Sequence, residues 1–449
     1  MRVLFLELDT ENAWAVASLG PAFLAAWLRR HGHEAAFLRV PPTEPIAAIA
    51  ESVARVAPDL IGVSMTTRQW LRARDVLGGL RRLVDIPTIV GGLHATFSPE
   101  EVLRHDGVDY LCLGEGEAAL LDLVEALQSG RCVADDTIAN IWAKGGARPS
   151  LRNPIEPLDA LPFLARDLMD ERWGVRHITT QRGCPFPCTF CAARMYDKLY
   201  ASLDTTRYGR RRGQGNVLAE LAELREQGPL NYVIFLDDTF TIQHAWVREF
   251  CKVYGKEFAV PFSLNARVET VSQSLLADLA AAGCRHIIYG VESGSERVRR
   301  EIMKRNASNQ RFRDVFRWTR EAGIMATANY IIGTPGESRA EMAETIALHH
   351  ELEPVDFGFF VFYPYPGTEL FQLCRDNGYL PDDYLTRPAN HRESILNLPQ
   401  VSRADIAEVY EQWTAIRVAA AVRRVPLGAA AAGGLSVVER DIRARAATA

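Results

Sequence analysis

Three cysteines stand close together in the stretch TTQRGCPFPCTFCAAR: Cys184, Cys188 and Cys191, set among Gly183, Pro185 and Pro187. Thiolates at these offsets can hold a metal. Structural zinc takes four ligands, and catalytic zinc takes three and a water. No second cysteine pair of this spacing follows to complete a four-ligand site, although a single histidine such as His177 can be brought in by folding. Iron–sulfur clusters are also held by thiolates, and a four-iron cluster with three protein cysteines keeps one iron open to an outside ligand. On the residues alone both readings stand. Only the cluster reading offers a place for chemistry at an open iron.

The other five cysteines, Cys112, Cys132, Cys251, Cys284 and Cys374, lie singly along the 449 residues. That distribution suits small buried hydrophobes in a reducing compartment better than a disulfide framework. A net charge of -5, from 51 basic and 56 acidic residues, gives no general attraction to nucleic acid or to an anionic membrane. No apolar run reaches the ~18 to 20 residues of a membrane span, and RVLFLEL lacks the length and cleavage pattern of a signal peptide. The expectation is a cytoplasmic protein acting on a small molecule.

The elements that position the cysteines follow from periodicity. Short apolar runs (RVLFLEL, AAFLRV, DLIGVSMTT, PTIVGG, VDYLCLGEGE) alternate with helical patterns over the first 145 residues. Strand and helix in alternation imply an α/β domain with a doubly wound, Rossmann- or flavodoxin-like parallel sheet whose ligands sit at the carboxyl ends of the strands. Residues 146–175, rich in Pro, Asn and Arg, read as a linker. A second alternation fills 176–375, with strands HITTQRG, NYVIFLDDTF, PFSLNARVE, RHIIYGVES, MATANYIIG and DFGFFVFYPYPG. Six such units predict a partial (βα)6 barrel of the TIM type, with chemistry at the carboxyl ends of its strands. Residues 376–449 predict a short helical extension, SRADIAEVYEQWTAIRVAAAVRRV, and a poorly ordered tail.

The cysteine spacing of CPFPCTFC, placed after the first strand of a six-unit barrel, resembles the radical S-adenosylmethionine (radical SAM) superfamily over residues 176 to roughly 375. The resemblance implies that Cys184, Cys188 and Cys191 hold a [4Fe-4S] cluster. SAM would chelate the open iron, and its reductive cleavage would give a 5'-deoxyadenosyl radical that abstracts hydrogen from substrate. An electron donor of the flavodoxin or ferredoxin type is implied as partner. By position at strand ends, Asn265, Arg267, Glu292 and Ser293 are the candidates for SAM, and Gly333, Pro335 and Gly336 are candidates for a turn under its adenine. Asp237, Asp238, Glu269 and Tyr330 are candidates for acid–base work on the same positional ground. Solvated strand-end charges and ordinary turns are the plainer alternatives. Tyr363 and Tyr365 in FYPYPG can face the barrel interior or pack a core layer, and core packing is the expectation.

The pieces SLGPAFLAAWLRRHGHE, IGVSMTT, VGGLHATFSPEEVL and CLGEGEAAL resemble the cobalamin-binding domain that precedes the barrel in one radical SAM subgroup. There Ser64, Thr66 and Thr67 would offer hydroxyls, and Gly91 and Gly92 close backbone approach, to a cobalamin. The Asp-x-His-x-x-Gly pattern that supplies an axial histidine elsewhere is absent, since the first loop reads DTENAWAVASLG, and His94 belongs to an ordinary turn. The subgroup implies cobalamin-dependent C-methylation of a small, specialised-pathway metabolite, such as an antibiotic precursor. Its rival is cobalamin-independent dehydration of a sugar or aminoglycoside diol, or an epimerisation or rearrangement. A non-catalytic metal-binding sensor is the remaining alternative.

Overall fold

The structure is a computed structural model that describes residues 1–10, 18–134, 137–169, 171–203 and 209–423. In the N-terminal sheet β1 (Arg2–Leu8), β2 (Glu34–Val40), β3 (Leu60–Ser64), β4 (Thr88–Gly91), β5 (Tyr110–Cys112) and β6 (Ile141–Ala143) lie in the order β2-β1-β3-β4-β5-β6. Successive residues of β1 feed opposite layers. Leu4 and Leu6 pack toward α2 (Ile46–Val56), α3 (Trp70–Arg81) and α5 (Pro99–Arg104). Val3 and Phe5 pack toward α1 (Leu19–Arg30) and α6 (Glu117–Gln128). A short α4 (Gly92–Phe97) follows β4 directly. This is the two-faced burial that a near-continuous apolar strand demands.

The sheet departs from the expected all-parallel arrangement at one edge, where β6 runs antiparallel to β5. Ile141, Trp142 and Ala143 are too few to show a period, and they lead directly into the Gly145–Gly146 turn. The expected linker thus begins immediately after a strand.

The second sheet is wholly parallel. It is built from β7 (Val175–Ile178), β10 (Tyr232–Phe235), β11 (Phe262–Ala266), β12 (Cys284–Glu292), β13 (Met325–Ile332) and β14 (Asp356–Val361), in the order β14-β13-β12-β11-β10-β7. A two-residue ribbon, β8 (Gln181–Arg182) with β9 (Arg210–Arg211), stands just before the cysteines. Helix α7 (Ala192–Tyr200) follows the cysteines, and α8 (Gln214–Gln227), α9 (His244–Glu257), α10 (Gln273–Ala282), α11 (Asn309–Glu321) and α12 (Arg339–Leu352) alternate with the strands. Ser272, Ser308 and Ser338 cap α10, α11 and α12 with their side chains, satisfying backbone donors that each helix start leaves open.

After β14 come α13 (Glu369–Asp376) and α14 (Arg403–Arg423). Trp413 of α14 is fully buried, packs at a tilt on Tyr330 of β13 and stacks on Phe359 of β14, with ring centroids 4.8 and 5.7 Å away. These contacts fix the faces of the last two strands: Tyr330 and Phe359 turn to the helices, so Ile331 and Phe360 turn to the barrel interior. The tail after Arg423, expected to be poorly ordered, and residues 11–17 of the first loop lie outside the described residues. Among the described residues no helix is long and apolar enough to cross a membrane.

Candidate cluster and cofactor site

The loop between β8 and α7 carries the three cysteines, and it is tied down from several sides. Asp237, at the end of β10, accepts from the backbone N–H of Thr180 at 2.7 Å and of Gln181 at 3.0 Å, and from the Thr180 hydroxyl at 2.5 Å. Thr189, between Cys188 and Cys191, donates its hydroxyl to the Ile302 carbonyl at 2.6 Å, at the end of a π-helical turn over Val298–Ile302. The N–H of Leu370 in α13 donates to the Thr189 carbonyl at 3.1 Å. A π-turn is an unusual conformation often found at functional sites.

Positive charge converges on Cys188. Arg267 Nη1 donates to its Sγ at 2.9 Å, and Arg305 Nη1 approaches at 3.9 Å. The Arg267 guanidinium lies 3.9 Å over the Phe186 ring and donates to Glu269 Oε1 at 2.5 Å. Arg305 reaches Glu292 Oε1 at 3.3 Å and donates to the Gly290 carbonyl at 2.7 Å. Burial holds the Cys184 thiol above its ordinary range and pushes Cys191 up to about 12; the nearby Asp238 adds to both shifts. Metal-free, these two thiols are protonated, and binding a metal releases their protons.

No three His, Cys, Asp or Glu side chains among the described residues converge on a single metal-ion position. His177, the residue available for a zinc reading, sits in β7 with its Nδ1 3.4 Å from Glu171 Oε1. The donor set is three thiols spread around one loop, which suits a multi-iron cluster with one thiolate per iron. Beside it, Arg267 Nε, Arg305 Nε and Glu269 Oε2 are buried without a hydrogen-bond partner. A cation and a carboxylate with unused buried hydrogen-bonding atoms fit the carboxylate and ammonium of an amino acid such as SAM.

The other expected residues divide. Glu292 is buried at the end of β12, beyond a register shift, with φ +69, and burial raises its carboxyl. Its Oε1 occupies the space over Gly290, where a Cβ would lie 2.2 Å away. Asp238 is reached by solvent at the mouth, and its carboxyl is held up by burial and by the Asp237 charge. Asn265 Nδ2 donates to the Asp237 carbonyl at 3.1 Å.

Three expectations are corrected. Asp237 is engaged on Thr180 and Gln181, so it positions the loop and is not a free acid or base. Tyr330 is fully buried in the helical layer, 3.2 Å from His349 Nδ1, and does not face the interior. Ser293 is also buried; its Oγ accepts from the Ser295 N–H at 3.2 Å and lies 3.4 Å from the Thr345 hydroxyl of α12. Gly333 (φ +76) lies under α14, where a Cβ would stand 3.0 Å from Ile406. Pro335 is buried in the same turn, and Gly336 is exposed.

At the carboxyl ends of β3 and β4 opens a cavity of about 680 Å3. Ser64, Thr66, Gly91 and Gly92 all line it. Gly92 has φ +89, and a Cβ there would fall 2.6 Å from the Met65 carbonyl, so only glycine fits. The fourth wall comes from the barrel: Thr179, Gln181 and Arg182 precede the cysteines, and Tyr196 follows them. Arg182 and Arg210 tie the β8–β9 ribbon to the N-terminal domain through Glu115 and Glu117, and the Glu115 N–H donates to Tyr200 Oη at 2.7 Å. A glycine-backed cradle with hydroxyls at strand ends fits a large cofactor. His94 does not line it; it is buried with Nδ1 3.2 Å from Thr67 Oγ1, and burial lowers its pKa to about 4.

Sequence reasoning missed Phe186, Arg305, Arg182 and Tyr196. Phe186 lies inside the cysteine motif, Arg182 two residues before it and Tyr196 five residues after it, where spacing does not say which way they face; Arg305 is brought in from a segment remote in sequence.

Comparisons with known proteins agree with this geometry. The radical SAM superfamily profile matches residues 178–349, and the B12 binding domain profile matches residues 15–124. An uncharacterized methyltransferase of Pyrococcus horikoshii is 28% identical over 402 residues, covering 85% of this chain and 84% of its own. An anaerobic magnesium-protoporphyrin IX monomethyl ester cyclase of Rubrivivax gelatinosus is 25% identical, covering 84% of this chain and 70% of its own. Among solved structures, the radical SAM methyltransferase TsrM of Kitasatospora setae, with cobalamin and a [4Fe-4S] cluster bound, superposes with TM-score 0.68. It is 18% identical, covering 84% of this chain and 75% of its own. The chain carries a B12-binding domain over residues 15–124 ahead of a radical SAM domain over residues 178–349.

Proposed function

We propose that this protein is a cobalamin-dependent radical SAM enzyme that methylates a carbon of a small molecule. The observation that carries this reading is the shared wall. The cavity at the strand ends of the B12-type sheet is closed by Gln181, Arg182 and Tyr196, which flank the three-cysteine loop on both sides. When bound, a cluster with SAM supplies hydrogen-atom abstraction, and cobalamin supplies the methyl group.

The chain's own residues do the positioning. Cys184, Cys188 and Cys191 hold the cluster, with Arg267 offsetting the Cys188 charge. Arg267 and Glu269 offer their unused atoms to the SAM carboxylate and ammonium, with Asp238 and Glu292 at the same mouth. Gly91, Gly92, Ser64 and Thr66 back the cobalamin. A flavodoxin- or ferredoxin-type donor supplies the electron. The name of the P. horikoshii relative supports methylation over the dehydration and rearrangement alternatives.

The test is anaerobic cluster reconstitution followed by cobalamin loading, desalting, and assay with methyl-labelled SAM and a reductant. Corrin retained near one per chain, with deoxyadenosine formed, is expected. Deoxyadenosine without corrin retention would overturn the methyl-transfer half. Absence of both would overturn the reading.

A further inference from the structure

A second cavity, of about 340 Å3, opens on the interior face of β13 and β14. Ile331 and Phe360 are register partners on these strands and both line it. Phe190, which stands between Cys188 and Cys191, forms another wall, so the cavity adjoins the cluster loop. Phe362, Tyr363 and Tyr365 add aromatic surface. Tyr363 packs in a buried cluster with Phe362, Leu370 and Cys374, as expected, Tyr365 packs against it, and both also line this cavity.

The polar end of this cavity is built, not incidental. His391, from the segment after α13, has φ +58, and its carbonyl accepts from the Val361 N–H at 2.8 Å. Its Nδ1 lies 3.2 Å from the Val361 carbonyl, which can only accept, so Nδ1 carries the proton. Nε2 then presents a lone pair, and Tyr365 Oη donates to it at 2.5 Å. This pair sets the Tyr365 ring as a rigid wall, its centroid 5.4 Å from that of Tyr363. Phe360 remains 39% exposed, a large apolar face on the interior of the barrel.

Charge enters from the other domain. Arg68 lines this cavity, while Thr66 and Gln69 of the same turn line the larger one. Thus one turn of the N-terminal domain separates the two cavities and places a guanidinium at the smaller.

We propose that the 340 Å3 cavity is the substrate site, and that the substrate is a flat, mainly apolar molecule of about two rings that carries an acidic group. The rings lie among Phe190, Phe360 and Tyr363, and the acid meets Arg68. A cavity of ~150 Å3 accepts one benzene ring, so this one takes about two, whereas a four-ring macrocycle would need roughly 600 Å3 at the same allowance. The proposal rests on the radical SAM reading above and assigns its substrate class.

The probes are 2-naphthoate and its uncharged counterpart 2-naphthamide, titrated by calorimetry into the full chain with its cluster reconstituted. Wild type should bind 2-naphthoate at one site. Arg68→Gln should weaken 2-naphthoate about tenfold or more, the worth of one charged hydrogen bond, and leave 2-naphthamide within about twofold. Phe360→Ala, at a half-exposed position that does not support the core, should weaken both probes. No binding of 2-naphthoate by wild type, or equal effects of Arg68→Gln on the two probes, overturns the proposal. So does binding indifferent to both substitutions. Deoxyadenosine formation by the wild-type chain is scored separately, so a failed substrate class and a failed radical SAM reading give different results.

Discussion

The two sheets offer their ligands opposite surroundings. At the strand ends of the N-terminal sheet the cavity is walled mainly by apolar side chains such as Phe5, Leu24 and Leu93, with Gly91, Gly92, Ser64 and Thr66 on one side and Arg182, Glu115 and Glu117 on another. At the strand ends of the barrel, charges crowd together: buried Arg267, Glu292 and Arg305 and half-buried Glu269, with Cys188 among them. Apolar shape and close backbone approach suit a bulky cofactor, and the Arg182 charge there is paired with Glu115 and Glu117. A redox cluster on thiolates changes charge and needs fixed cations to compensate it. At the first site space is tightest at Gly92, where a Cβ has no room, whereas at the second each buried charge depends on a partner.

The sharpest break comes from Cys188→Ala. It removes one of the three proposed cluster ligands and leaves Arg267 buried without its sulfur partner. Visible iron–sulfur absorption and deoxyadenosine formation should both vanish, while corrin retention by the N-terminal sheet persists. Loss of corrin alongside the cluster would show that the two sites are one cooperative unit.

Arg267→Met keeps much of the volume and the packing on Phe186 but removes the cation. Losing a partner of a metal ligand typically lowers affinity or activity about 10- to 100-fold. Iron content after desalting and the rate of deoxyadenosine release both read this.

Gly92→Ala strikes the other site. A left-handed φ and a Cβ 2.6 Å from the Met65 carbonyl make the backbone shift, at roughly 1–3 kcal/mol. Corrin retention should fall while cluster absorption stays. An unchanged corrin titration would remove Gly92 from the cradle.

The cysteine loop and the six barrel strands are legible in local spacing, whereas the glycine-and-hydroxyl cradle is legible only through the resemblance of its segments to a cobalamin-binding domain. Sequence reasoning misplaced Tyr330, since alternation says that neighbours face opposite ways but not which way is inward. That waited on Trp413 of α14, which packs on Tyr330 and so marks the outer face. Asp237 and Asp238 are adjacent and chemically identical, yet one ties down Thr180 and the other opens to the mouth. No local pattern separates them. Arg68, Arg305 and His391 carry no motif at all, and each reaches its cavity or cysteine from a segment remote in sequence.

The mildest test concerns a buried acid beside the charged mouth. Glu337, in the turn after β13, accepts from the Thr334 N–H at 3.0 Å and its hydroxyl at 3.1 Å, but Oε1 is buried without a partner. Burial raises its carboxyl from 4.5 to about 7. A raised acid pKa favours the protonated fold, so stability from this group is complete below about pH 4.5 and declines as pH rises toward 7. Above that the charged form costs the full difference, roughly 3 kcal/mol. Glu337→Gln keeps an acceptor for Thr334 and abolishes the titration. The variant should therefore lose less thermal stability than wild type between pH 5 and pH 8, compared by melting curves at both. An equal loss in both proteins would mean that the charge is accommodated in that turn, and that crowded buried charge at the mouth stops short of Glu337.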